Sequence, residues 1–535
     1  MKVAAYLGNQ AHAPANSRLG LVSAFTGGAD ILHFAVRLSA SNRLVLAADA
    51  DTAVATGVPG KVRDLKVTDL RKLDYSKGFV ARGSAPGEFS FLDPQVADRR
   101  HPIDVLDEMI DELPGEADWM IELRGDPGDD AADSKAAELL AALINGRRRA
   151  ARTILLADTA AAQARLRQLC PAARFAVRDN GAATPAADYL IVAASDVWNG
   201  TAVTPAAAAI KGRLASGNWP SGAYLLSHGP VSEPLIEAAA SAGWIGVLAA
   251  ESMFDLAGQR PSFVKLDESF AGNAVNKAGF SLGYAKANKY AHVTWDEGVH
   301  VNIAAYDGPF PDFSGSTAER ELERLKWDVI NIGREWPFYS GGGVGVMHGI
   351  SGDFAAEVDY RVAAVGQATT LEMAVTNVDP GAHRDTPPTS FRDKDSFFDP
   401  HGAPPFIGVE HDEDDGFRIN WNLGTEYDNN QYGRPVGDGR IPRGARLRLE
   451  RRGAWFAAYY REPIDAAGND LVPRDWVCVG VARNESLNRS VFLRCVGKRW
   501  RQEKASDPSA FEPVIANRFT FRNLHIACFP TEPGV

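Results

Sequence analysis

The segment "GVEHDEDDGFRINWN" places Glu410, Asp412 and Asp414 at alternate positions. Alternate side chains of a β-strand share a face, so the three carboxylates would gather on one surface. A pair of carboxylates flanking a glycosidic bond can hydrolyse it, one protonating the leaving oxygen while the other attacks or activates water. An oxygen-rich cluster of this kind can also hold a structural calcium ion, and a solvated acidic loop with no chemistry fits the same residues. Just downstream, "NWNLGTEYDNNQYG" gathers Trp421, Tyr427 and Tyr432 with Asn422, Asn429 and Asn430. Aromatic faces stack against the apolar faces of sugars while amides bond their hydroxyls, which makes this stretch a candidate glycan-binding loop. A loop packed by its own rings is the plainer alternative.

The elements that must position these residues are β-strands. In "DFAAEVDYRV", Phe354, Ala356, Val358, Tyr360 and Val362 alternate with Ala355, Glu357, Asp359 and Arg361, the period of two that buries one sheet face. "ARLRLERRGAWFAAYYRE" predicts a hairpin turning at Arg452 and Gly453, and further strands are predicted in "GFRINWNLG", "DWVCVGVAR", "SVFLRCVG" and "RFTFRNLHIACF". Together they predict an all-β sandwich over 326–535.

The first half reads differently. Over 1–260, short apolar runs alternate with Ala-rich helical segments, as in repeated βα units. The predicted strands are "ADILHFAV", "NRLVLAAD", "ADWMIELRG", "RTILLAD", "DYLIVAA", "GAYLLSH" and "WIGVLAA", and a closed (β/α)8 TIM-type barrel is the economical fold. Between the halves, 261–325 is rich in Gly, Asn and aromatics and reads as a connecting region that could have strands of its own, with a capping signature at Ser316 and Glu319 that starts a helix through Leu325.

At 535 residues the chain exceeds what one core usually supports, which agrees with two domains. Its net charge of -11 argues against a nucleic-acid partner, and the one dense basic run, 147–149 with Arg152, reads as the solvated end of a helix. Cys170, Cys478, Cys495 and Cys528 are widely spaced, predicting buried thiols rather than a zinc site or disulfides. The opening "MKVAAYLGNQ" is too short for a signal-peptide core, so synthesis in a cytoplasm is expected, and no apolar run is long enough to span a bilayer.

The barrel half resembles the glycerophosphodiester phosphodiesterase family through "AYLG" at 5–8, "PANS" at 14–17, "GADILHFAV" at 28–36, "LAAD" at 46–49, "GKVRDLKVTDLRKLDYSKGF" and "HPIDVLDEMIDELPGEADWMIELRG". The family is built on a His-Arg-Gly, a Pro-Glu-Asn-Thr, a strand bearing Glu and Asp, and a His-Asp pair. The resemblance implies two histidines as acid and base, with carboxylates holding a divalent metal. At those positions this chain has Tyr6, Leu7, Ala15, His33, Ala35 and Ala48, with Asp49 beside the last. Glu122 survives, and Arg124 follows where the family usually has Lys. The residual barrel pocket is therefore expected to comprise Tyr6, His33, Asp49, Glu122 and Arg124, with no catalytic residue, metal or cofactor. His12 could substitute for a lost histidine, but its place in a loop is more simply read as surface.

The second half resembles concanavalin A-like lectins and glucanases (a jelly-roll sandwich) in strand order, in "SGDFAAEVDYRV" and in the "GARLRLERRGAWFAAYYRE" hairpin. Retaining glucanases of that fold carry Glu-x-Asp-x-Glu, where this chain ends in Asp414. The resulting expectation is a non-catalytic protein presenting a lectin-like domain to a cell-surface polysaccharide or glycan. By analogy it would be a bacteriophage minor tail or tail-tip protein, in contact with other tail or assembly proteins, its oligomeric state open. The alternatives are a phosphodiesterase with a rearranged barrel site and a glycoside hydrolase using the sandwich carboxylates.

Overall fold

The computed structural model describes residues 2–80, 101–250 (less 127, 181–185, 200–203, 216–217, 228–238 and 241–243), 263–303 (less 273–277, 285–290 and 296), 338–380 (less 365–368), 405–461 (less 414–415, 425–429, 434–435 and 437–443) and 475–529 (less 502, 505–506 and 512–516). The chain divides into two compact units, the first ending at Pro261 and the second continuing from Ser262.

The strands of the first unit are β1 (Lys2–Ala5), β2 (Ile31–Leu38), β3 (Leu44–Leu46), β4 (Asp118–Leu123), β5 (Thr153–Ala157), β6 (Arg174–Arg178), β7 (Tyr189–Ala193), β8 (Ala223–Leu226) and β9 (Gly246–Ala249). All but β3 are parallel, and β1 pairs with both β2 and β9, so eight staves close into a TIM-type barrel. "ILHFAVRL" is buried along almost its whole length, as expected of a stave with the barrel interior on one side and helices on the other. The predicted strand "NRLVLAAD" is not a stave. Its core, β3, folds back antiparallel on β2 with Val36 opposite Leu46. β1 and β6 complete the barrel instead.

Ala4, Ile31, Ala35, Met120, Ile154, Ala176 and Tyr224 belong to the core inside the barrel. Strand periodicity then puts His33 with Ile31 and Ala35, Glu122 with Met120, and Arg178 with Ala176, all aimed inward, with Glu122 and Arg178 at the carboxyl ends of their strands, where the sites of such barrels are built.

Ser17, Asp129 and Thr159 cap the helices Arg18–Thr26, Asp130–Gly146 and Ala160–Leu169, each side chain accepting a backbone N–H of the first turn. The basic run that follows Asp130–Gly146 is not merely solvated. Arg149 donates to the carbonyls of Gly115 and Ala117 and lies over Trp119, while Arg152 donates to Asp118 and Gly115, so the run staples the approach to β4. His12, expected at the surface, is buried. All four cysteines are buried free thiols.

The second unit is sandwich-like, with two antiparallel sheets. One follows the order Ala291–Trp295, Val299–Ile303, Asn517–Phe529, Asp353–Ala364, Gly444–Arg452, Trp455–Arg461, Val477–Arg483, with Phe263–Glu268 also on Asn517–Phe529. The other runs Phe280–Tyr284, Phe338–Val346, Ser490–Arg501, Thr369–Thr376, Phe406–Asp412, Gly416–Asn422, Asn430–Tyr432, with Ile350–Ser351 on Ser490–Arg501. The hairpin predicted to turn at Arg452 and Gly453 turns one residue later, at Gly453 (φ +60) and Ala454, with Arg452 opposite Trp455. Across the core between the sheets, the Tyr360 hydroxyl lies 2.9 Å from His411 Nδ1, and Phe417 stacks on both His411 and Tyr460.

The connecting region expected over 261–325 is corrected by this pairing. Phe263 lies opposite Cys528, Phe280 opposite Val346 and Val299 opposite Phe521, so the sandwich begins about sixty residues before 326. Phe270, Phe280 and Trp295 pack edge to face there, the aromatics being core rather than linker. The helix predicted from Ser316 to Leu325 lies outside the described residues.

Candidate functional site

Tyr6, His33, Glu122 and Arg124 come together in the barrel and are joined by Arg178 from β6. Arg178 donates to Glu122 Oε1 from Nε (3.1 Å) and Nη2 (2.9 Å) and to Oε2 from Nη2 (2.9 Å), and Arg124 Nη2 donates to Oε2 at 3.1 Å. Arg124 Nη1 also donates to the Ala48 carbonyl at 3.0 Å. Thus the backbone of Ala48 anchors the arginine at the position where the resemblance implies a second histidine. Burial alone would push the Glu122 carboxyl up, but His33 and the two guanidiniums more than offset it and hold the group well below the carboxylate range.

His33 is fully buried, stacked on Tyr6 at 4.8 Å between centroids. Its Nδ1 accepts the Leu7 N–H at 3.3 Å, so the proton of the neutral ring sits on Nε2, 3.4 Å from Glu122 Oε2. Leu7 reaches that geometry with φ +54, a left-handed conformation that a leucine adopts at a cost. Burial lowers the His33 pKa, and Glu122 offsets this only in part. A neutral imidazole with its lone pair already engaged cannot take a proton from a substrate.

Asp49 does not join the group. It is exposed on the loop after β3 and acts on Arg37 only through its charge. The second carboxyl near Glu122 is instead Asp158, just past β5, raised by its burial and by the Glu122 charge. Glu122, Asp158, Thr159, Gln163, Arg178 and Asn180 line a cavity of about 300 Å³.

These donors do not fit a divalent metal. Both oxygens of Glu122 are occupied by guanidiniums, His33 presents an N–H, and Ala35 and Ala48 offer no side-chain ligand. Among the described residues, no three His, Cys, Asp or Glu side chains are grouped as a metal site.

In the sandwich, Glu410 and Asp412 do share one face, while Asp414 lies outside the described residues. Opposing pairs in the ladder put Thr370, Glu372, Arg418, Asn420, Arg494 and Lys498 on that same face. Arg418 donates to Glu410 (2.5 Å) and Asp412 (3.0 Å), and Asn420 Nδ2 to Glu410 (2.8 Å) and Glu372 (3.1 Å). Arg494 pairs with Glu372 at 3.0 Å, and Lys498 stands 3.4 Å from both Glu372 and Glu410. Three acids are thus matched by three bases, nearly all of them buried. Burial pushes Glu372 up, but Arg494 and Lys498 outweigh it, and the group is lowered. A glycosidase acid needs the opposite shift, and where calcium would sit the Lys498 ammonium already lies between two carboxylates.

The candidate glycan residues separate. Tyr432, opposite Asn420, is on the charged face, 44% exposed, with the Arg418 guanidinium 4.2 Å from its ring centroid. Trp421, opposite Ile407 and Gln431, points to the other face, because adjacent strand residues alternate. Asn422 is buried and structural, its Oδ1 accepting the Gly424 N–H and its carbonyl accepting from Asn484. Tyr427 and Asn429 lie outside the described residues. Arg178, Asp158, Glu372, Arg494 and Lys498 carry no motif; strand parity alone could have pointed to Arg178.

Residues 8–248 match the model of the glycerophosphoryl diester phosphodiesterase family, a span confined to the barrel unit. Among solved structures, the chain is similar to a glycerophosphodiester phosphodiesterase from Agrobacterium tumefaciens, with 17% identity over 48% of this chain and 98% of that one, at a TM-score of 0.36. An Oleispira antarctica phosphodiesterase solved in complex with the product sn-glycerol-3-phosphate is 15% identical over 47% of this chain and 94% of its own, at 0.36. A glycerophosphodiester phosphodiesterase from Thermotoga maritima is 16% identical over 47% and 95%, at 0.33. No curated protein matches the chain.

Proposed function

We propose that this glycerophosphodiester phosphodiesterase-like barrel is catalytically silent and that the second unit is a carbohydrate-recognition module. The observation that supports the first part is the double capture of Glu122 by Arg124 and Arg178. A guanidinium committed to Glu122 supplies countercharge but has no open coordination position, so it does not generate the activated nucleophile that a bound metal would. Supporting the second part, Tyr432 is exposed at the margin of the charged face with Arg418 behind its ring, and an aromatic ring left open to solvent suits the apolar face of a sugar. On this reading the partner is a cell-surface polysaccharide or glycan, and the setting is a particle such as a bacteriophage tail tip, assembled with other tail proteins after synthesis in a host cytoplasm. Neither nucleic acid nor membrane insertion is part of it; no helix among the described residues is long and apolar enough to cross a membrane.

The test combines two assays on the full chain. Glycerophosphodiesters with magnesium or calcium should not turn over, and restoring the family residues at Tyr6, His33, Ala35 and Ala48 should remain without effect while Arg124 and Arg178 still hold Glu122. Turnover abolished by Glu122→Ala would establish a rearranged phosphodiesterase instead. A glycan array with a reducing-sugar assay addresses the second unit: binding without cleavage supports recognition, and cleavage lost on Asp412→Asn would replace it with hydrolysis.

A further inference from the structure

A second cavity in the barrel unit, of about 190 Å³, shares no lining residue with the one beside Glu122. Arg37, Ser39, Arg63, Arg124, Asp126 and Asp133 are in its wall, drawn from β2 and its hairpin, the loops after β3 and β4, and the helix Asp130–Gly146. Arg37 spends its terminal nitrogens on the carbonyls of Gly125 (3.1 Å) and Ala48 (3.5 Å) and on Asp126 (3.4 Å), and its Nε is left buried without a partner. The Nε of Arg124 is in the same condition, and so is Oδ2 of Asp133. Asp133 is 4% exposed and Arg37 8%, so water at the surface does not solvate either. The carboxylate is also deliberately accommodated: a Cβ on Gly125 would stand 2.5 Å from Asp133 Oδ1.

Buried groups of this kind are rarely left unpaired, since each has given up its hydration with nothing in exchange. An ion is a poor complement, because an anion would meet Asp133 and a cation the guanidiniums of Arg37, Arg63 and Arg124 in the same wall. Arg63 pairs with Asp126 and Asp129, Arg37 with Asp126, and Arg124 with Glu122. What remains is one strong acceptor and two N–H donors. A hydroxyl both donates and accepts, and a vicinal diol can serve an acceptor and a donor at once. The volume is below the roughly 300 Å³ where drug-sized pockets begin, which restricts the ligand to a few carbons.

We propose that this cavity binds a small neutral polyol, one hydroxyl donating to Asp133 Oδ2 and others accepting from Nε–H of Arg37 and of Arg124. The experiment is ligand-observed saturation-transfer NMR on the full chain with ethylene glycol, glycerol and erythritol, set against acetate, inorganic phosphate and methylammonium. Saturable polyol binding is expected, weakened about tenfold by Asp133→Ala, the loss of one charge-assisted hydrogen bond. Arg37→Lys keeps the charge but removes Nε, and should weaken it as well. This variant decides the matter if Asp133→Ala fails to fold. The proposal is overturned if no polyol saturates, which would leave a cavity holding ordered water only. It is equally overturned if both variants bind polyol like the parent, or if phosphate, acetate or methylammonium displaces the polyol at lower concentration.

Discussion

Glu122→Gln removes one negative charge and leaves almost every atom in place, so it isolates what the carboxylate does for the barrel. Two guanidiniums then lose their counterion. Removing one partner of a fully buried pair costs about 3–5 kcal/mol, and because the Arg124 and Arg178 side chains are 20% and 36% exposed, water recovers part of that and about 2–3 kcal/mol is expected. For a unit of this size each kcal/mol moves the midpoint by about 2–4 °C, so the barrel transition should fall by about 4–12 °C at neutral pH. The pH dependence carries a sign. Because Glu122 is lowered in the fold, its stabilisation is present above the unfolded carboxyl pKa of about 4.3 and is lost progressively as pH falls below it. The gap between parent and variant should therefore narrow by about 1 kcal/mol per pH unit below that point. Differential scanning calorimetry at pH 7 and pH 3.5, with Asp49→Asn as an exposed control, measures this. An unchanged or raised midpoint in Glu122→Gln would refute the ion-cluster reasoning. So would a parent midpoint raised several degrees by magnesium or calcium, with the rise absent in the variant.

His411, buried between the sheets and lowered to about 3 by that burial, should make the sandwich acid-sensitive. The unfolded chain takes up the proton first, so stability falls as pH drops from 6.5 towards 3, by about 2 kcal/mol at pH 5. Urea unfolding at pH 7.5 and 5 should show this loss in the parent and a smaller one in His411→Phe; equal losses would contradict it. Tyr432→Ala should weaken glycan binding by about 1 kcal/mol, whereas Trp421→Ala should leave it intact and lower the midpoint of the sandwich, as isothermal titration and thermal melts would read. A fragment of 263–535 should give a cooperative melt and one of 326–535 should not, because the latter lacks four strands of the two sheets.

How much could be read from the chain follows from the physics of each element. Staves buried on both sides form unbroken apolar runs, so β2, β4, β5 and β7 are plain. β1 is a short "KVAA", and β6 is "RFAVR" with an arginine at each end. Overlooking β6 concealed Arg178, and with it the reason no metal fits. Alternation placed Glu410 and Asp412 on one face, but their partners Glu372, Arg494 and Lys498 arrive through antiparallel pairing over long separations, which no local pattern records. The same alternation separates Trp421 from its neighbours Asn420 and Asn422; the strand predicted in "GFRINWNLG" already implied this, but grouping the three in one binding loop set it aside. Over 263–303 the strands are only five or six residues long, and the Gly and Asn of the intervening turns dominate the composition.

The strand Asn517–Phe529 lies at the centre of its sheet, with Phe263–Glu268 and Val299–Ile303 on it and Asp353–Ala364 beside them. Synthesis proceeds from the amino end, so the earliest strands of the sandwich are made long before the strand that pairs with them. During that interval Val299, Val301 and Phe354, all buried in the finished sheet, have no central strand to cover their edges. Such non-local pairing is slow, and unpaired edges invite other chains. The barrel can close as soon as β9 is available, but the sandwich must wait for nearly the whole polypeptide. Yield at high expression is therefore set by how well those waiting strands are shielded, and slower translation or a holding chaperone should favour the sandwich over the barrel.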